Sequence, residues 1–209
     1  MTGTQTIVLH GYELSGHSHR AELMLNLLGL PYEFRRIDLA KGAQRTPEYL
    51  ALNPFGTVPV IEDGEIIIAD SVAILVYLAL RYDPARRWLP ADPVAAAEVQ
   101  RWLSIAQGPV AFGPARARII KLFGAPFDHQ AAVALSNRLL PVLEQTLAAR
   151  EFLAGNGATL ADVAVYSYVA RAPEGEVSLD PYPAIRAWLG RVEALPHFLP
   201  MPVADGGRS

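Results

Sequence analysis

The sequence predicts an α+β chain of two domains: a small βαβ–ββα domain over residues 1–82 and an all-helical domain over residues 93–209, with a linker at 83–92. Three observations carry this. Between Asn53 and Tyr77, two β-branched runs (Val58–Ile61 and Glu65–Ile68) flank Glu62-Asp63-Gly64 and lead into an apolar helical stretch. An Asp-Gly pair between two such runs is a strong hairpin signal. Upstream of that hairpin, strand and helix patterns alternate. Downstream, a segment with Pro84, Pro90 and Pro93 and no periodicity separates it from a region that patterns almost entirely as helix.

Taken in order, residues 6–9 read as a strand buried on both faces, followed by a polar, glycine-containing loop from His10 to His19. Ala21, Leu23, Met24, Leu27 and Leu28 then share one face of a helix from Arg20 to Leu28, which Gly29 ends as a C-terminal cap. Tyr32 to Asp38 alternates as a second strand, so strand, helix and strand make a βαβ unit with a parallel pair. A short helix is expected from Thr46-Pro47-Glu48, because proline suits the first helical position.

The hairpin follows. Pro59 at the start of its first strand suits a fixed bend, including a cis bond, that leaves the Val58 backbone able to pair with an extended, peptide-like ligand. Val72, Leu75, Val76 and Ala79 then mark a helix that begins at Asp70-Ser71. Those oxygens can accept from its first N–H groups, and the same end attracts an external anion. The other reading of this stretch is an ordinary hairpin and a capped core helix.

In the second half, helices are expected over 94–107, Arg116–Phe123 and His129–Ala149. After Gly155-Asn156-Gly157, Thr159 and Asp162 form a Thr-x-x-Asp variant of the capping box ahead of an apolar, buried helix to Ala170. Residues 183–195 give a last helix, and the Pro- and Gly-rich tail beyond it is expected to be loose.

Composition narrows the function. Hydrophobic content of 51% supplies a core, and a net charge of −3 gives no electrostatic footprint for nucleic acid. There is no cysteine, which excludes disulfides, thiolate metal sites and catalysis by a protein thiol. The longest apolar run, Ile66–Leu80, is too short to span a bilayer and carries Asp70. With no basic or apolar leader at the N-terminus, a cytoplasmic protein without membrane attachment is expected. His10, His17 and His19 lack the carboxylate or cysteine partners of a metal site, so no metal is expected.

Over essentially the whole chain, this layout resembles the cytosolic glutathione transferase family. The matching pieces are Ser15-Gly16-His17-Ser18-His19-Arg20, Leu28-Gly29-Leu30-Pro31-Tyr32, Asn53-Pro54-Phe55-Gly56-Thr57-Val58-Pro59-Val60, Asp70-Ser71-x-Ala73-Ile74 and Thr159-x-x-Asp162. Each alone is weak; their order and spacing together are specific. The resemblance is to a bacterial, serine-type, zeta/theta-like member, and it implies a thioredoxin-like N-terminal domain, an all-helical C-terminal domain and a homodimer. It also implies glutathione as co-substrate, activated as thiolate and added to a small electrophile. Glutathione-dependent isomerisation or dehalogenation, or a non-catalytic binding protein of the same fold, are the alternatives. The intact serine loop and acid–Ser pair favour catalysis over the last of these.

The family pattern assigns roles residue by residue. Glutathione's cysteinyl backbone would pair with Val58, held by Pro59. Its γ-glutamyl carboxylate would sit on Ser71, and its ammonium would face Asp70. Thr57 stands where theta-like members carry lysine, which leaves Lys41 and Gln44 as candidates for the glycine carboxylate. The group that donates to the sulfur is Tyr, Ser or Cys by class. Without cysteine the choice is Ser15 first, then Ser18, then Tyr12, and either serine also suits a helix cap. A hydrogen bond and a nearby helix N-terminus favour the thiolate. His17 would orient substrate or tune a pKa, and Tyr12, His17, Phe112 and Arg116 are the expected electrophile pocket. Phe112 and Tyr168 also suit a core, Arg116 and Arg118 a solvated surface, and Arg20 an anchor for the first helix.

Overall fold

The first unit is built around β1 (Ile7–Gly11), whose register and neighbours set everything that follows. The computed structural model describes residues 6–204 and divides them into two units: the residues up to Pro84 with Pro196–Pro202, and Ala85–Leu195 with residues 203–204. In the first, β1 is followed by α1 (Gly16–Leu27), β2 (Tyr32–Arg36), α2 (Pro47–Leu52), β3 (Val60–Asp63), β4 (Ile66–Ala69) and α3 (Ser71–Tyr82). The sheet order is β2-β1-β3-β4. β1 and β2 run parallel with Leu9 opposite Phe34; β1–β3 and β3–β4 are antiparallel, with Ile61 opposite Leu9 and Ile68. Ile7, Leu9, Val60 and Ile61 are buried, as are Leu23, Met24 and Leu25 of α1 and Ile74, Leu75 and Leu78 of α3. The expected βαβ–ββα domain is present.

Two boundaries differ from the sequence reading. Helix α1 begins at Gly16, four residues before Arg20, because the Ser15 hydroxyl accepts from the Ser18 N–H at 3.3 Å and closes the first turn. His17, Ser18 and His19 are therefore helical residues and not loop residues. The hairpin turn falls on Gly64-Glu65, with Gly64 at φ +66°, a conformation glycine adopts without penalty. Asp63 stays in β3 because its carboxylate accepts from the hydroxyls of Tyr77 (2.7 Å) and Tyr82 (2.5 Å) on α3. Thr46 caps α2 through the Tyr49 N–H, as its Thr-Pro-Glu start suggests.

The tail differs as well. Pro196–Pro202 groups with the first unit, the Leu199 carbonyl lies 2.9 Å from His19 Nε2, and Met201 is buried. The rest of the tail expected to be loose, residues 205–209, lies outside the described residues.

The second unit is helical: α4 (Pro93–Ile105), a π-helical segment (Ala106–Ala115), α5 (Arg116–Phe123), α6 (His129–Ala149), α7 (Leu160–Ala170) and α8 (Pro183–Glu193). The break expected after residue 107 is a widened helix, in which Pro109 and Pro114 sit without ending the run from Pro93 to Phe123. Proline removes an N–H and crowds the preceding turn, and a wider turn accommodates both effects. The Thr159–Asp162 box forms as expected. Asp162, fully buried, accepts from the N–H groups of Leu153, Thr159 and the Trp188 indole, each at 2.9 Å, and so ties α7 to α8.

Candidate functional site

All of the residues expected to hold glutathione lie in the first unit. The loop after β1 is closed by two serines with different roles. Ser18 is buried and its oxygen accepts from the Tyr12 N–H at 3.1 Å, so it fixes the loop from inside. Ser15 is half-buried; its oxygen accepts the Ser18 N–H, and its own hydrogen is left to donate. It therefore combines a helix N-terminus with an O–H donor, the two features that stabilise a thiolate. The Tyr12 ring lies 5.9 Å from the Arg36 guanidinium, which in turn pairs with Glu13 at 3.6 Å.

The start of α3 is a polar cluster on an otherwise apolar scaffold. Asp70 adopts φ +77°, ψ 127°, a sparsely populated region for a residue with a Cβ, and its carboxylate accepts from the N–H groups of Val72 (2.9 Å) and Ala73 (3.0 Å). Such a conformation costs of order 1–3 kcal/mol and persists only where surrounding contacts hold it. Ser71 is 2% exposed, with its hydroxyl 3.2 Å from His17 Nδ1 and 3.5 Å from Arg20 Nη1. Burial, and then the Arg20 charge, push His17 down to about 3, so its imidazole is neutral at physiological pH. Arg20 itself is fully buried. A buried guanidinium, a helix N-terminus and a hydroxyl thus converge on Ser71, an arrangement suited to a carboxylate.

Between these two helix starts runs the Asn53–Pro59 loop. The Val58–Pro59 peptide is cis, and Val58 precedes Val60, where the ladder with β1 and β4 begins. The Thr57 carbonyl accepts from the Tyr49 hydroxyl (2.9 Å) and from Asn53 Nδ2 (2.8 Å), which also reaches the Thr57 hydroxyl at 3.0 Å. Gly56 sits at φ +59°, where a Cβ would lie 2.9 Å from both the Gln44 carbonyl and Arg45 Nη1. Asn53 and Tyr49, the residues that hold this loop from behind, were not singled out from the sequence. The only signal for them was Asn53 beside a proline in the loop motif.

The remaining expected site residues fall differently. Lys41 is 84% exposed in its side chain and paired with Asp38 at 3.1 Å, whereas Gln44 has a buried Oε1 with no hydrogen-bond partner among the described residues. In the second unit, Arg118 is buried against Glu174 at 2.5 Å, and Tyr168 is core. Phe112 is 48% exposed, and Arg116 lies 4.5 Å from its ring centre and 4.6 Å from that of Phe127, a residue that sequence patterning did not mark. Among the described residues no group of three or more His, Asp or Glu is placed to hold a metal ion. No helix of these residues is long and apolar enough to cross a membrane.

Comparison with known proteins bears on both halves of the chain. Residues 14–81 match the family model described as glutathione S-transferase, N-terminal domain, and residues 127–196 match the corresponding C-terminal domain model. Human glutathione S-transferase theta-2B is 33% identical over 175 residues, covering 79% of this chain and 72% of that protein. The crystal structure of a glutathione S-transferase from Pseudomonas fluorescens Pf-5 superposes with a TM-score of 0.89 at 33% identity, over 95% of this chain and 100% of that one. A glutathione transferase homologue from Drosophila mojavensis, solved with bound glutathione, gives 0.83 at 30% identity, over 91% and 89%.

Proposed function

The chain belongs to the glutathione S-transferase family and uses glutathione as co-substrate, and from that premise we propose that Ser71 anchors the tripeptide while Ser15 activates its thiol. The observation that carries this reading is the Ser71 hydroxyl, buried at the start of α3 and faced by Arg20 and the neutral His17. In the tautomer with its proton on Nδ1, His17 donates to Ser71 Oγ as Arg20 does, which leaves the hydroxyl hydrogen to donate to the γ-glutamyl carboxylate. His17 thereby serves as a positioning residue for glutathione and not as part of the electrophile pocket. Asp70, already holding the N–H groups of Val72 and Ala73, meets the γ-glutamyl ammonium with its negative charge.

The cysteinyl backbone pairs with Val58, next to the cis-Pro59 bend, and Thr57 and Gln44 lie at the glycine end. Ser15 donates to the sulfur and, with the N-terminus of α1, lowers the thiol pKa; Ser18 and Tyr12 support the loop. The thiol proton leaves to solvent, the thiolate attacks the electrophilic carbon, and the displaced group departs with its bonding pair. The protein contributes position and electrostatics without a covalent intermediate.

In this reading the protein acts in the cytoplasm as a serine-type homodimer. Ile66 (44%) and Ile67 (45%) are exposed on edge strand β4, whose unpaired backbone edge is a place where a second copy can pack. Glutathione titration calorimetry on wild type, Ser71→Ala and Ser15→Ala tests the assignment. Ser71→Ala is expected to weaken binding about 10-fold or more, the loss of a hydrogen bond to a charged group. Ser15→Ala is expected to bind with a raised thiol pKa. Absence of wild-type binding at millimolar glutathione would overturn it.

A further inference from the structure

The chain holds four asparagines, and the fold treats one of them differently from the rest. Asn26 lies inside α1, where its Nδ2 donates to the Glu22 carbonyl at 2.9 Å and to the Tyr32 hydroxyl at 3.0 Å. Asn53 is buried, with its Nδ2 on the Thr57 carbonyl and its Oδ1 on the Phe55 N–H at 3.1 Å. The residue after it is Pro54, which has no N–H. Asn137 lies inside α6, so the N–H of Arg138 after it is committed to the helix ladder. Asn156, by contrast, is exposed in the turn between α6 and α7, with Gly155 at φ +64° before it and Gly157 after it. A Cβ on Gly157 would meet no atom within 4 Å.

The residue after an asparagine matters because its backbone nitrogen can close a five-membered ring on the side-chain amide carbon. Glycine places no Cβ beside that nitrogen and rotates freely into the attacking geometry. The two flanks of this turn are tied down. The Gly155 N–H donates to Glu98 at 3.3 Å and its carbonyl accepts from Arg150 at 3.4 Å, while the Thr159 N–H donates to Asp162 at 2.9 Å. A change confined to residues 156–158 leaves these anchors in place.

We propose that Asn156 is a self-modification site, at which the folded chain deamidates to aspartate and isoaspartate. The Gly157 nitrogen gives its proton to solvent base and bonds to Asn156 Cγ. The Cγ–Nδ2 bond then breaks, and ammonia leaves with the bonding pair and a proton from water. A second water opens the resulting succinimide. Attack at Cγ leaves aspartate, and attack at the Asn156 backbone carbonyl leaves isoaspartate, with the chain running through the former side chain. Either product adds one negative charge beside the Glu98–Arg150 pair. Asp63 is also followed by a glycine, but an anionic carboxylate is a poor electrophile, and the Tyr77 and Tyr82 hydroxyls hold it.

The test incubates the folded protein at mildly alkaline pH for days and follows it by peptide mass mapping. A gain of about 1 Da, amide to acid, is expected in the peptide carrying Asn156 and not in those carrying Asn26, Asn53 or Asn137. Its rate should lie within about 10-fold of that in a synthetic peptide of residues 153–159, as for a turn whose local opening is nearly free. Asn156→Gln, which would need a six-membered ring, should abolish the gain over the same days, and Gly157→Ala should slow it several-fold. A folded chain that keeps its mass at Asn156, or converts more slowly than that range, overturns the proposal. So does a rate that Gly157→Ala leaves unchanged, or conversion at another asparagine first.

Discussion

His17 Nδ1 lies 3.2 Å from the Ser71 hydroxyl, joining the first turn of α1 to the first residue of α3 across 54 positions of sequence. Because Ser71 is the proposed carboxylate anchor, a His17 that donates from Nδ1 frees the Ser71 hydrogen for the ligand. His17→Leu should raise the glutathione dissociation constant about 10-fold. His17→Asn, whose amide nitrogen can stand in for Nδ1, should restore most of it. Calorimetric titration of both variants checks this, and equal weakening in the two would make His17 a packing residue only.

The same histidine gives a pH signature. Its folded pKa is pushed down to about 3, first by burial and then by Arg20, while an unfolded histidine titrates near 6.5. Below 6.5 the unfolded chain therefore takes up a proton that the folded chain refuses, so this contribution to stability is complete above 6.5 and declines as pH falls towards 3. The slope approaches at most about 1.4 kcal/mol per pH unit. Denaturant midpoints for wild type and His17→Asn across that window should converge as pH falls, since the variant lacks the term.

Ser15 has two proposed roles that two substitutions separate. Its oxygen caps α1 through the Ser18 N–H. Ser15→Ala should cost about 1 kcal/mol of stability and also raise the bound thiol pKa. Ser15→Asp keeps a capping acceptor, so stability should hold, yet its charge opposes the thiolate and should raise the thiol pKa further. Thermal melts and thiolate absorbance against pH read the two effects independently.

At Gly56 the backbone φ is +59°, and an added Cβ would meet the Gln44 carbonyl at 2.9 Å. Gly56→Ala should destabilise the protein by about 1–3 kcal/mol through strain and the forced shift. Because the same loop carries Thr57 and Val58, glutathione affinity should fall as well, by more than in a control such as Gly157→Ala, where a Cβ would meet no atom within 4 Å. Paired melts and titrations check both.

Much of the fold was legible because its signals are local. Gly64 in the hairpin, Thr46 before α2, Asp70 before α3, the Thr159–Asp162 box and the spans of α5 and α6 each depend on residues within a few positions of one another, and the structure carries all of them. The start of α1 was not legible, because apolar periodicity is silent there: Ser18, His19 and Arg20 are polar yet buried. The helices expected over 94–107 and Arg116–Phe123 are one run, because the segment between them, with Pro109 and Pro114, widens its turn and continues.

The sequence by itself therefore determined the order of elements, the start of α3 and the family, since caps, turns and side-chain periods are properties of neighbouring residues. Only the tertiary structure decided how the site is wired. It set His17 and Arg20 on Ser71, Asn53 behind Thr57, Leu199 on His19 at 180 positions' separation and Phe127 on Arg116. These pairings follow from packing, because buried polar groups take whichever partner the assembled elements bring within hydrogen-bond reach, and chain separation carries no information about which that will be.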